Sequence, residues 1–191
     1  MVQYYRIVNL TKKQYFNPIG NKKIGEFSYL GNKTMAFLYN LLQEVWKGDK
    51  VVVVGSDYVK EQYNSNLDYN DSHLYAVEYD ELFTEVKPSH FKFKLLNTFK
   101  SHKKGFYINE TTKEFIDMSK LPKVNGNVVS PLALMIALGN NPQNDEDYTG
   151  INDFIVGRWA WNKVRIELEI KEKSTIRKLG FKEISPNFSE V

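Results

Sequence analysis

The sequence predicts an α+β fold made of two related hairpin–helix–strand units, and three observations carry that expectation. Residues 8–17, VNLTKKQYFN, are echoed without a gap by residues 108–117, INETTKEFID. Residues 46–53, WKGDKVVV, are echoed by residues 159–166, WAWNKVRI. Each pair of echoes is separated by an apolar segment with helical signals, at 33–46 and at 130–139. Ordered self-similarity of this kind points to a duplicated unit. The expected architecture is an antiparallel-rich sheet, or two, with the helices packed on one side and room for a pseudo-two-fold relation.

Taken in order, an aromatic-rich strand from Tyr4 to Val8 leads into a polar turn, Asn9 to Lys12, and a return strand through Tyr15. Asn and Thr in such turns bond back to nearby backbone groups, so they recur without any catalytic role. Over 33–46, Met35, Leu38, Leu42, Val45 and Trp46 fall at helical spacing, and Gly48 suits a left-handed C-terminal cap. Four consecutive valines, Val51 to Val54, predict a strand covered on both faces. The second hairpin runs from Phe106 through Asn109–Thr112 to Phe115. In 130–139, Ser130 is placed to cap a buried helix, Pro131 fits its first turn and Gly139 ends it. Val164, Ile166, Leu168 and Ile170 alternate with Arg165, Glu167 and Glu169, which predicts a strand with one wet face.

The units are residues 1–86 and 105–191, joined by a basic crossover at 87–104 in which Phe91 to Phe99 reads as a strand or partly ordered connection. A unit of about 85 residues is marginal alone, so the two are expected to share apolar surface in one compact domain. The shared surface would involve Met35, Leu38, Leu42, Leu134, Ile136, Leu138 and the valine strand.

Composition narrows the function. With 42% hydrophobic and 26% charged residues the chain is globular, and no apolar run approaches the length of a membrane span. The first residues lack the basic and apolar regions of a cleavable signal, so a cytoplasmic location is expected. Zero cysteines exclude disulfides, thiol catalysis and cysteine-held metals. A net charge of +3 does not demand nucleic acid.

YYRIVNLTKKQYFNP, WKGDKVVVVG, GNN…DYTG…VGRWAWNKVRI and the terminal GFKEISPNFSEV resemble an uncharacterised group of bacterial and phage-encoded proteins. That group opens with Y-x-I-V-N-x-T-K-x-x-Y and carries a W-A-G-D-x-[IV] strand. Its Gly-rich G-N-G-x-G-G-G-D-Y loop is here Asn140 to Asp147, and Trp161-Asn162 stands where Gly-Asp is expected. The resemblance implies conflict between phage and host (immunity, antitoxin or anti-defence roles) and no particular activity.

Several groups could carry chemistry. The long polar loop 139–157 holds Asp145, Asp147, Thr149 and Asp153 in partial calcium-loop spacing, but Val156 occupies the position that needs a bidentate carboxylate. Asp57 follows the valine strand, where α/β sheets often bind ligands, yet no phosphate-binding glycine loop accompanies it. His73, His90 and His102 match no metal spacing, and no G-x-S-x-G or Walker loop is present. Residues 87–104 interleave lysines with Phe91, Phe93 and Phe99; an amphipathic edge strand is favoured over a nucleic-acid surface. Trp159 and Trp161 alternate as if on one strand face and, with Arg158, would make a binding anchor if exposed.

The expectation is a non-catalytic, cytoplasmic binding protein that recognises a protein or a nucleotide-like ligand, without a cofactor or metal. Its binding residues would be Arg158, Trp159 and Trp161, with Asp147 and Tyr148 from the long loop and Asp57 beyond the valine strand. The alternative is a metal-assisted hydrolase using Asp57, Asp145, Asp147 or Asp153.

Overall fold

Alternation along the strands determines how the sheet is faced. In β1 (Tyr5–Asn9), Tyr5 and Ile7 enter one core cluster and Val8 enters another. In β3 (Asp49–Gly55), Val51 and Val53 join the first cluster and Val52 and Val54 the second. All four valines are fully buried, as a strand covered on both faces requires. The computed structural model describes residues 4–19, 24–29, 31–56, 71–91, 105–124, 126–138, 156–168 and 172–185.

The fold is mixed α+β around a nine-stranded mixed sheet. β1 pairs antiparallel with β2 (Gln14–Phe16) and with β3. β5 (Phe106–Asn109) and β6 (Glu114–Asp117) form the second hairpin. β10 (Lys163–Glu167) pairs with both β5 and β3, joining the two hairpins into one sheet. The outer strands are β4 (Thr84–Glu85), parallel to β2, and β11 (Lys182–Glu183), parallel to β6. The strand order is therefore β11-β6-β5-β10-β3-β1-β2-β4. β9 (Ala137–Leu138) lies parallel to β3 beyond the point where β10 leaves it. A separate small hairpin joins β7 (Lys123–Val124) and β8 (Asn127–Val128).

The two main hairpins turn in the same way. Asn9 Oδ1 accepts the Lys12 N–H at 2.9 Å, and Asn109 Oδ1 accepts the Thr112 N–H at 3.0 Å. Lys13 and Lys113 both adopt left-handed backbone, φ 55° and 57°. The threonines do more than close their own turns. Thr11 Oγ1 accepts the Lys50 N–H, and Thr111 Oγ1 accepts the Lys163 N–H, so each ties its hairpin to the next strand.

Helix α1 (Ile24–Phe27), helix α2 (Lys33–Gln43) and helix α3 (Leu132–Met135) cover the first face of the sheet. Asn32 caps α2 by accepting the Thr34 and Met35 N–H groups, an arrangement worth about 1 kcal/mol. Helix α4 (Glu172–Lys178) lies on the other face, where Ile176 packs with Phe106, Ile108 and Phe115. A 3-10 segment, Asp71–Tyr79, covers that second face beside β1 and β3 through Leu74 and Val77. The expectation of helices on one side is thus corrected, because a sheet apolar on both faces needs two covers.

Other boundaries also differ from expectation. The helix read over 33–46 ends at Gln43; Val45 is exposed and Trp46 is fully buried in the following turn. Gly48 is left-handed at φ 77°, but it shapes the entry to β3 and does not cap α2. The helix read over 130–139 is a single turn, after which Ala137–Leu138 becomes β9. The strand read from Val164 to Ile170 ends at Glu167; Leu168 lies outside it, and 169–170 lie outside the described residues. Phe91 packs on the core, whereas 92–104 lies outside the described residues.

Candidate functional site

The turn leading into β10 gathers the tryptophans and Arg158. Two backbone bonds stitch it to the end of α3: Gly157 N–H to the Leu134 carbonyl at 2.9 Å and Trp159 N–H to the Met135 carbonyl at 2.7 Å. Two more close it, Ala160 N–H to Gly157 and Asn162 N–H to Trp159. Trp159 is fully buried in the first core cluster, and its indole N–H donates to Glu114 Oε2 at 2.8 Å. Arg158 grips the same carboxylate in a fork, Nη2 to Oε1 at 2.5 Å and Nε to Oε2 at 3.3 Å. Burial pushes the Glu114 carboxyl up, but the hydrogen bonds from Arg158 and Trp159 and the charge of Arg158 outweigh it, so its pKa lies below the ordinary value.

The turn leading into β3 is built with the same bonds. Lys47 N–H donates to Glu44, Asp49 N–H to Trp46, and the Trp46 indole N–H to Gln14 Oε1 at 2.7 Å. Several substitutions distinguish the two turns. Glu114 replaces the neutral Gln14, and its partner Arg158 stands where the first turn has Val45. Asn162 replaces Asp49. Trp161, at φ 68°, replaces Gly48 at φ 77°. A left-handed backbone is free to glycine but costs a bulky residue about 1–2 kcal/mol. Strain of this kind persists where surrounding structure enforces it, and it concentrates at ligand clamps and functional turns.

Trp159 and Trp161 do not share a face. Trp159 enters the first cluster, while Trp161 packs partly exposed against the second, which includes Val8, Val52, Val54 and Leu138. Both lie in the turn that precedes β10, and Trp161 itself is left-handed, so strand alternation does not apply. Trp159 is accordingly an internal anchor, and Trp161 is the tryptophan that reaches solvent. Asp57, Asp145, Asp147, Tyr148 and Asp153 lie outside the described residues. Sequence reading missed Glu114 as the organiser of this turn. The signal was available, since Gln14 and Trp46 recur together as Glu114 and Trp159.

Other polar groups serve the fold. Arg6, buried in β1, bonds Asn17 at 3.0 Å, Glu78 at 2.7 Å and the Tyr75 carbonyl, and lies over the Tyr15 and Tyr75 rings. Tyr39, Tyr107 and Ser130 close a buried triangle of hydroxyls, and burial pushes both phenols well up. His90 Nδ1 accepts the Lys87 N–H. Among the described residues no group of three or more His, Cys, Asp or Glu is placed to hold a metal ion. No helix among them is long and apolar enough to cross a membrane. Comparison with family models, curated proteins and solved structures returns no match.

Proposed function

We propose that this chain is a non-catalytic binding protein that recognises its partner, a protein or a nucleotide-like ligand, through the turn at 156–162. One observation carries the reading: of three tryptophans only Trp161 reaches solvent, and it does so from a left-handed backbone. Trp and Arg dominate interface energetics because they bury large area with few rotors and fixed donors. Arg158 is held by Glu114 at 26% side-chain exposure, so the Glu114 fork fixes its guanidinium within the same turn that carries Trp161. The role in conflict between bacteria and their phages, and the cytoplasmic setting, belong to the same proposal.

The proposal includes the origin of the turn. The two hairpin–helix–strand units are read as copies of one module, related by an approximate two-fold axis near the Lys50–Lys163 pairing. The recurring turn bonds, the two left-handed lysines and the sheet order, which reads alike from either end, support this. In that reading the first turn keeps the structural form and the second has been adapted for binding.

Trp161→Gly is the informative variant, because Gly48 occupies the matching position without strain. Wild-type and variant protein are immobilised, exposed to lysate of the native host, and the retained proteins and small molecules identified by mass spectrometry. A species held by the wild type and lost by the variant, with the thermal midpoint kept, is the expected result. Equal retention by both would remove the turn from the binding surface, and a turnover activity of the purified protein would end the non-catalytic reading.

A further inference from the structure

Lys50 and Lys163 face each other directly across the β3–β10 seam. Cross-strand partners project to the same side with their Cβ atoms about 5 Å apart, and like charges so placed oppose pairing. Alternation fixes which side. Val51 and Val164 belong to the first core cluster and Val52 to the second, so both lysines leave the sheet on the second face. Trp161, two residues before Lys163, packs on that face against the second cluster, to which Val52, two residues after Lys50, belongs.

The neighbouring charges do not neutralise the pair. Arg165 meets Glu110 at 2.8 Å and also meets Glu167, which in turn meets Lys47. Those two carboxylates are therefore already engaged by Arg165 and Lys47. Neither Lys50 nor Lys163 has an ion-pair partner among the described residues, and both are at least partly exposed. Among the described residues the second face thus carries two juxtaposed ammonium groups without an ion-pair partner, on the same face as a partly exposed indole. A dianion spanning both amines relieves their repulsion, and an aromatic base stacks on an exposed ring irrespective of its sequence.

We infer that Lys50, Lys163 and Trp161 form a binding site for a phosphate ester of an aromatic base, with the phosphate between the two lysines and the base on the indole. The chemistry is common to a free nucleotide and to a nucleotide within a single strand. The inference rests on the binding reading above and narrows its ligand to this class.

The test is a titration at low salt with AMP, ATP, inorganic phosphate and a five-nucleotide single strand, followed by tryptophan fluorescence and calorimetry. Trp46 and Trp159 are fully buried, so saturable quenching reports Trp161. The expected result is quenching by AMP, with inorganic phosphate binding more weakly and without quenching. Tighter binding of the strand than of AMP identifies nucleic acid as the source, and the reverse identifies the free nucleotide; either supports the site. Lys163→Glu converts the like pair to an opposite pair. It should lower affinity for AMP at least tenfold, a loss of the size of one charge-assisted bond, while the free protein's thermal midpoint holds or rises. Trp161→Gly should reduce AMP affinity to that of inorganic phosphate by calorimetry. Absence of saturable binding by all four probes up to about 10 mM, where affinity is negligible, overturns the site, as does unchanged affinity in Lys163→Glu. If lysate capture depends on Trp161 but not on the lysines, this site fails while the binding reading survives.

Discussion

Asn109 is fully buried, and its two ends fare differently. Its Oδ1 accepts the Thr111 and Thr112 N–H groups, while its Nδ2 has no acceptor among the described residues. In the first hairpin the same amide is satisfied, because Asn9 Nδ2 donates to Asp49 Oδ2 at 2.8 Å. Asn162 stands at the position that corresponds to Asp49, each donating its N–H to the tryptophan three residues earlier. An unmet buried donor costs more than an average hydrogen bond returns. Asn162→Asp should therefore stabilise the protein by about 1 kcal/mol in chemical denaturation. The gain is limited to the amide, since Thr112 replaces the Lys12 that also binds Asp49 at 2.8 Å. The reciprocal change, Asp49→Ala, strips an acceptor from Asn9 and Lys12 together and should cost about 2 kcal/mol. A neutral or destabilising Asn162→Asp would mean that the Asn109 amide is satisfied by another group.

At the scale of elements, the outer edge of the second hairpin is held by charge. Asp117 accepts Lys173 Nζ at 2.6 Å and both Ser119 donors, and Glu183 meets Arg177 at 2.6 Å and Lys120. Burial pushes both carboxyls up, but bonds from Lys173 and Ser119 at Asp117, and from Lys120 and Arg177 at Glu183, leave both below their ordinary values. A carboxyl lowered on folding contributes stability above its unfolded value of about 4, and loses it as pH falls through the folded value. Between pH 6 and pH 3 the amides of α4 and β11 should accordingly lose hydrogen-exchange protection before those of β1 and β3. Lys173→Ala should flatten that dependence, and uniform loss across the sheet would contradict it. Neither ladder of charge was read from the sequence, because α4 has a single buried anchor in Ile176 and no apolar period. The hairpins and the valine strand were legible, since their turn residues and full burial depend on local chemistry. The apolar run 130–139 was not, because helix and buried strand look alike over so short a stretch. What separates them is the edge of β3 left open beyond β10, which only the assembled sheet supplies.

The whole molecule turns on the seam. β3 and β10 share only two paired positions, Lys50 with Lys163 and Asp49 with Val164, and β9 pairs further along that edge at Val53 and Val54. No apolar pattern marks the seam, so sequence suggested two related hairpins but not their order in one sheet. Its lysines also hid the candidate ligand site, because retained Lys50 and Lys163 look like ordinary strand-entry residues until they are opposed. The core compensates for the thin seam. Phe16, Trp46 and Val53 belong to the same buried cluster as Tyr107, Trp159 and Ile166, and α2 reaches across to bond Tyr107 through Tyr39. Neither hairpin can open without exposing apolar surface of the other, so unfolding should be one event. Ile7→Val in β1 and Ile166→Val in β10 remove one methylene each from that shared cluster, at a cost of about 1 kcal/mol apiece. In differential scanning calorimetry both should lower the midpoint of the same single transition by roughly 2–4 °C, the shift expected at this chain length. The van't Hoff and calorimetric enthalpies should agree in each variant. Two transitions, with each variant moving only its own, would show that the seam joins units that fold independently and that the common core contributes little to holding them together.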